Sequence, residues 1–373
     1  MPVLSRADNS LIGRWWWSVD RWTLMAIAAL IGFGYVMMLA ASPAVAERIG
    51  QARDSFIFKQ VAFLTIAGGI VVSVSLLSPR GVRRLSLVGC AVALLLTAAT
   101  LVIGPNIKGA TRWIALPGMS VQPSEFLKPC FAVVTAWLLT EGRRSKHVPG
   151  LAICLAVYAM IALLLKSQPD MGMLAVVTIV LLAQLFVSGL NLAWIAMGAG
   201  LIGLGGVGAF FALPHFRGRL MSFFDSSKGD HFQIDRALEA FGSGGLLGRG
   251  PGEGFVKDKL PDAHADFVFA VMGEEFGLLI CLLVVAIFGF IVLRGLLRLL
   301  GEGDLFVVLA ATGLVASFGL QAFVNMASTL HLIPTKGMTL PFISYGGSSV
   351  MAVALGIGML LALTRRGGSG DLL

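Results

Sequence analysis

The stretch Lys257–Glu275, KDKLPDAHADFVFAVMGEE, gathers the residues best equipped for chemistry. Asp258, Asp262, His264 and Asp266 stand at the mouth of a long apolar segment, and Glu274 and Glu275 lie further inside it. Carboxylates are costly to hold at or below a membrane surface, so acids there mark a functional site by default. Asp266 falls near the start of a helix, where the dipole favours the ionised form and burial opposes it. It is either a general base or a helix cap. At about 100° per residue, Gly273 and Gly277 share the Asp266 face and Glu275 points the other way, which predicts room for a ligand beside the carboxylate. His264 suits a cation ligand, a hydrogen-bond partner or a surface histidine. Asp258, Asp262 and His264 are the candidate ligands for a divalent cation, Mg²⁺ or Mn²⁺, although no spacing demands a metal and no organic-cofactor motif is present.

Five further stretches could serve such a site. The loop 104–122 carries Lys108, Arg112 and Trp113, basic groups beside an indole that suit an anionic amphiphile or an ordinary snorkelling loop. Gln122-Pro123-Ser124-Glu125 opens the next helix, with Lys128 one turn on, so Glu125 and Lys128 read equally as an ion pair or as site residues. Asp170, in the short break 166–170, is a helix cap or a supporting acid. The run Gly242–Gly250 could cradle phosphate through its backbone N–H groups, with Arg249 beside it, or act as a hinge. It lacks the strand before it and the Lys-Ser/Thr after it that a nucleotide loop needs. Last, His331–Gly347 holds Lys336 as its one charge, and Ser344 precedes Tyr345-Gly346-Gly347.

These stretches sit between apolar runs. Of 373 residues 57% are hydrophobic and 13% charged, which excludes an ordinary soluble domain. About ten runs are long enough to cross a bilayer as helices: Trp22–Ala41, Phe58–Leu77, Leu85–Ile103, Ser124–Thr140, Leu151–Leu165, Met171–Val187, Leu192–Leu213, Phe267–Leu293, Leu305–Leu330 and Ser344–Leu363. The expected fold is an all-α integral membrane protein of one polytopic domain spanning 1–373. It has a tail at 1–21, a long loop between the seventh and eighth helices at 214–265 and a tail at 364–373. The formal charge of +8 is scattered over short loops rather than gathered on one face, which argues against nucleic acid. Arg6, Arg14, Arg21, Arg80, Arg83, Arg84, Arg143, Arg144, Lys146, Arg294, Arg298, Arg365 and Arg366 fall on one side when ten helices alternate. That pattern makes both termini cytoplasmic and the 214–265 loop external.

Cys90, Cys130, Cys154 and Cys281 each lie alone in an apolar run and read as buried hydrophobes. Arg14-Trp15-Trp16-Trp17 reads as an interfacial anchor. The first apolar run is nearer 20 residues than the ~7–15 of a signal peptide and reads as an uncleaved span. The glycines of the seventh run, Gly198 to Gly208, suggest close helix packing or a flexible helix.

Six motifs in order, GATRWI (Gly109–Ile114), QPSE (Gln122–Glu125), QPD (Gln168–Asp170), GSGG (Gly242–Gly245), LPDAHADFVFAVMGEEFG (Leu260–Gly277) and PFISYGGSS (Pro341–Ser349), resemble the SEDS family (shape, elongation, division and sporulation). The resemblance covers all ten helices. Pro334-Thr335-Lys336-Gly337 with Leu340-Pro341-Phe342-Ile343 is closer to its division branch than to its elongation branch. Ala265 stands where the family commonly has Thr, Asp262 where it has Glu, and Met171-Gly172-Met173 where it has Leu-Gly-Thr. The resemblance implies a peptidoglycan glycosyltransferase that polymerises lipid II at the outer face of the bacterial cytoplasmic membrane, at the division septum. It implies Asp266 as the essential acid and a class B penicillin-binding protein, a septal transpeptidase, as partner among other division proteins. Lys336, Arg112 and Arg249 are then expected at the pyrophosphate, with Lys108, Trp113, Glu125, Lys128, Asp170, His264 and Ser344 in support. A lipid II flippase and a non-enzymatic scaffold that recruits the transpeptidase are the rival readings.

Overall fold

The computed structural model describes residues 10–48, 55–106, 110–116, 119–145, 147–212, 217–218, 221, 232–334 and 337–365. Each apolar run becomes a helix: α2 (Arg21–Arg48), α3 (Ser55–Ser75), α4 (Pro79–Ile103), α5 (Pro123–Arg144), α6 (Gly150–Ser167), α7 (Met171–Val187) and α8 (Leu192–Ala212) come first in the chain. After the long loop follow α10 (Val268–Leu297), α11 (Leu305–Thr329) and α12 (Gly347–Leu363). Of these, α2, α3, α4, α6, α10 and α11 are long and apolar enough to cross a membrane, while α7, α8 and α12 are shorter apolar helices. A short helix α1 (Leu11–Ser18) precedes them, α9 (Phe232–Gly244) lies in the long loop, and strands β1 (Ile114–Leu116) and β2 (Met119–Val121) pair antiparallel before α5.

Local chemistry sets the ends. Ser78 caps α4 through Gly81 N ahead of Pro79, Asp170 caps α7 through Met173 N, and Asp304 caps α11 through Phe306 N. Because Pro79 starts α4 six residues before the first expected residue, Arg80, Arg83 and Arg84 belong to its first turns rather than to a loop. Pro129 is tolerated inside α5, whose neighbours close over it.

Helix α5 forms the buried axis with α11. It packs on α4, α6, α7, α11 and α12, and nearly every residue from Pro123 to Leu139 is buried, Lys128 among them. Helix α12 lies closely along α3, where a Cβ at Gly347 would press on the Phe63 ring. The α1 helix docks through Trp15, whose Nε1 donates to Ser75 Oγ at 2.8 Å, while Arg21 stacks over Trp17. Helix α8 departs from expectation. It packs chiefly on α7, and a Cβ at Gly198, Gly200, Gly203, Gly205, Gly206 or Gly208 would meet nothing within 4 Å, so these glycines mediate no close packing among the described residues.

Candidate active site

Asp262 begins the site. Its backbone takes φ 53°, and its carbonyl oxygen accepts from the N–H groups of Ala265 at 3.0 Å and Asp266 at 3.1 Å. That turn brings Asp266 to the head of α10, half-buried, one residue before the cap position held by Phe267. Asp266 is therefore not the helix cap. Asn325 Nδ2, on α11, donates to the carbonyl oxygens of Asp266 at 2.9 Å and Met338 at 2.6 Å, tying the head of α10 to the loop 337–346. Ser344 Oγ donates to the Ala265 carbonyl at 2.6 Å and accepts from Leu340 N at 2.8 Å. Tyr345 N donates to the His264 carbonyl at 2.9 Å, and Gln60 of α3 holds the Ser344 carbonyl at 3.1 Å. The carboxylate itself rests against backbone: a Cβ at Gly337 would stand 3.0 Å from Asp266 Oδ2. The residue before Gly337 is Lys336, which lies outside the described residues, as does Lys108.

A second polar layer lies beneath. Lys128, 4% exposed, pairs with Glu125 at 2.8 Å and hydrogen-bonds Gln321 Oε1 of α11; Glu125 Oε2 makes this ion pair without an aligned hydrogen bond. Gln321 Nε2 donates to the Thr339 carbonyl at 3.1 Å and to Ser349 Oγ at 3.2 Å. Gln122 Nε2 donates to Asp170 Oδ2 at 3.3 Å, and Gln122 N donates to Ser348 Oγ at 3.2 Å. Arg112 closes the outer side. Its Nε donates to the Gln168 carbonyl at 2.9 Å, it bonds the Pro169 carbonyl, and Asp170 Oδ1 lies 3.6 Å from its NH1. One network thus links the starts of α5, α7 and α12 with α11 and the backbone of Asp266.

Several expected site residues carry structure instead. Ser344 is fully buried with its hydroxyl engaged on both sides, so it fixes Ala265 rather than meeting a ligand. His264 is buried in an aromatic group, its ring 5.0 Å from Phe56 and 5.2 Å from Tyr345. Asp170 is both the α7 cap and the partner of Arg112. Trp113 is half-buried beside β1, and Asp258 is exposed. Among the described residues no three His, Cys, Asp or Glu side chains converge to hold a metal, so Asp258, Asp262 and His264 do not form a cage.

The glycine run is neither phosphate cradle nor hinge. Arg249 N and Gly250 N donate to the carbonyls of Glu274 and Glu275, both at 3.0 Å, and Leu278 N donates to the Gly245 carbonyl at 3.0 Å. These bonds are open to it because α10 breaks at Gly277, with φ 76° and ψ −178°. Two of its N–H groups are thus taken by α10 carbonyls, and Gly248 N donates to the Gly244 carbonyl within the run. The space expected beside Gly273 is filled too, since a Cβ there would run into the Phe241 ring of α9. Arg249 stacks over Phe255 at 4.4 Å and donates to the Ser243 carbonyl at 3.2 Å. That is the level of Glu274, eight positions along α10 from Asp266 and so roughly 12 Å away.

The two inner acids are satisfied by the same loop. Glu274 accepts from Phe255 N at 2.8 Å, Val256 N at 2.9 Å and Lys257 N at 3.2 Å. Glu275 pairs with Lys257 Nζ at 2.5 Å and accepts from Gly252 N at 3.0 Å. The backbone nest of this loop therefore holds the chain's own carboxylate. Gln321 and Asn325 escaped the sequence reading. Two amides four residues apart in an otherwise apolar span share one helix face and would have flagged them.

Comparison with known proteins places the chain among relatives. The family described as "Cell cycle protein" (FtsW, RodA, SpoVE) matches residues 21–367. A "Probable peptidoglycan glycosyltransferase FtsW" of Caulobacter vibrioides is 42% identical over 366 residues, 98% of this chain and 94% of that one. A relative of the same description from Alkalilimnicola ehrlichii is 36% identical over 374 residues, covering 95% and 92%. Among solved structures, a chain from work described as "Structural coordination of polymerization and crosslinking by a peptidoglycan synthase complex" superposes with a TM-score of 0.79 at 26% identity, covering 95% of this chain and 99% of that one. The rod shape determining protein RodA of Thermus thermophilus superposes with a TM-score of 0.70 at 27% identity, with the same coverage.

Proposed function

This chain belongs to the FtsW, RodA and SpoVE family of cell cycle proteins, the SEDS family, and we propose that it is a peptidoglycan glycosyltransferase that polymerises lipid II with Asp266 as general base. The observation that carries the reading is the placement of Asp266. Its carboxylate is half-buried at the head of α10, and its backbone is pinned from α11. In this mechanism the acceptor 4-hydroxyl attacks the donor anomeric carbon, Asp266 takes the hydroxyl proton, and polyprenyl pyrophosphate leaves with the bonding pair. The leaving group departs as an anion and needs positive charge more than a proton, so one base suffices where glycosidases use paired carboxylates.

Lys336 is assigned to the pyrophosphate, because it directly precedes Gly337, where a Cβ would stand 3.0 Å from the Asp266 carboxylate. Arg112 is assigned to the rim, held there by the Gln168 and Pro169 carbonyls and by Asp170. A Mg²⁺ or Mn²⁺ that accompanies the substrate would sit on its pyrophosphate oxygens with at most one or two protein carboxylates, as hard cations on phosphate substrates do. The setting proposed is the bacterial cytoplasmic membrane at the septum, with both termini cytoplasmic and a class B penicillin-binding protein as partner. The likeness to a chain of a peptidoglycan synthase complex supports that partner.

The test uses purified protein in liposomes with labelled lipid II and Mg²⁺ or Mn²⁺, with and without the cognate transpeptidase. Wild type makes glycan strands, and Asp266→Asn loses ~10²–10⁴ in rate, the usual worth of a positioned base. Strands from Asp266→Asn at the wild-type rate would remove the base. No strands in any condition, with lipid II translocation that survives the substitution, would favour a flippase. Cells that divide normally with Asp266→Asn would favour a scaffold.

A further inference from the structure

The far end of α10 holds a second site, remote from Asp266. This helix runs 30 residues, roughly 45 Å, so its last turns lie at the opposite membrane face. There a cavity of about 540 Å³ opens between α10, α11 and the end of α12. Arg294, Arg298 and Arg365 line its polar side, and Phe290, Leu293 and Leu297 its apolar side. Asp20 organises the cations: Arg294 holds it in a two-pronged pair at 2.6 and 2.8 Å, and Arg298 Nε lies 3.1 Å away. Burial alone would raise the Asp20 carboxyl, but bonds from Arg294 and Thr23 and the charges of Arg298 and Arg294 hold it below its ordinary value. Arg298 also donates to the Thr364 carbonyl and Arg365 to the Leu77 carbonyl, which fixes both around the opening.

Two features specify an occupant. Among the described residues Glu302 is the one acid that lines the cavity, and Asp20 pairs with two of the arginines from beside it, so three guanidinium groups meet two carboxylates and leave a surplus of one positive charge. The apolar wall is also open to the bilayer: Leu293 is 59% and Leu297 55% exposed, and they continue a lipid-facing stripe through Leu282 and Leu283. A free inorganic anion would use the charge and leave that wall idle.

We propose that this cavity binds an anionic phospholipid of the adjacent leaflet, its single-charge phosphodiester at the arginines and an acyl chain along α10. Arginine suits the head because its planar fork matches phosphate oxygens. Arg294 and Arg365 carry more donors than their bonds to Asp20 and Leu77 use.

Native mass spectrometry of the full chain, offered phosphatidylglycerol and phosphatidylethanolamine with identical acyl chains, tests the site. Wild type should retain phosphatidylglycerol preferentially. Arg365→Gln should weaken that retention ~5-fold, about the worth of one basic residue at an anionic surface, while thermal unfolding in lipid-free detergent falls by no more than loss of the Leu77 bond explains. Leu297→Glu, on the exposed rim and outside the arginine bonds, should weaken it as well and serves if Arg365→Gln proves unstable. Equal retention of the two lipids, or retention untouched by both substitutions, overturns the proposal. So does displacement of the lipid by excess inorganic phosphate, which would mark a free-anion site.

Discussion

Asn325 does at the residue level what the motif around Asp266 cannot do for itself. A carboxylate at the head of a helix is only as well placed as its backbone, and one buried amide holds the carbonyls of both Asp266 and Met338. Ser344 and Tyr345 hold the two residues before it. Asn325→Ala would remove the amide from which both carbonyls accept, at a cost of about 1–3 kcal/mol in stability. If Asn325 acts through Asp266, kcat for strand synthesis falls while KM for lipid II stays near wild type, and Asn325→Gln recovers part of the loss. An unchanged kcat in a destabilised but folded Asn325→Ala protein would reduce the residue to a packing role. Glu274 and Glu275 make the complementary point. They are the most deeply buried acids of the motif, at 0% and 1% exposure, yet every bond they make is to the loop that wraps α10.

At the scale of elements, the break in α10 joins the long loop to the membrane bundle. An unbroken helix would leave no carbonyls or N–H groups at Glu274–Leu279 for the glycine run to pair with. Opening the turn at Gly277 exposes them, and Gly244 and Gly248 approach so closely that a Cβ on either would overlap the backbone of Gly273 to Phe276. Lys257 then fastens the loop to α2 through the Ala40 carbonyl at 3.0 Å. Gly277→Ala sets a side chain at φ 76° and ψ −178°, a region essentially reserved for glycine, which costs about 1–3 kcal/mol from conformation alone, before the overlap with Gly248 N is counted. Such a protein should unfold at lower temperature in detergent, and its loop 245–257 should exchange amide hydrogens faster than wild type. Wild-type protection there would show that the loop does not depend on the break.

Across the whole molecule, the arginine-rich ends and the Asp266 end lie on opposite faces, and this orientation can be read chemically. All four native cysteines are buried, so an impermeant maleimide meets little background. Asp258→Cys should label from outside intact cells, whereas Arg84→Cys should label only after permeabilisation; the reverse pattern would invert the topology and remove Asp266 from the outer face. Much of this molecule is legible along the chain. Apolar length alone locates ten apolar helices, six of them long and apolar enough to cross a membrane, and Asp266 draws attention because an acid at the mouth of a span is costly. What the chain could not disclose is how polar groups pair across distance. The bonds of Asn325 with Asp266 and of Gln321 with Lys128, the capture of Arg112 by Gln168 and Pro169, and the filling of the Gly273 face by Phe241 all join residues dozens of positions apart. Hydropathy and helical period are local properties that chain order reveals. Which buried donor meets which acceptor depends on how the helices pack, and only the folded bundle decides that.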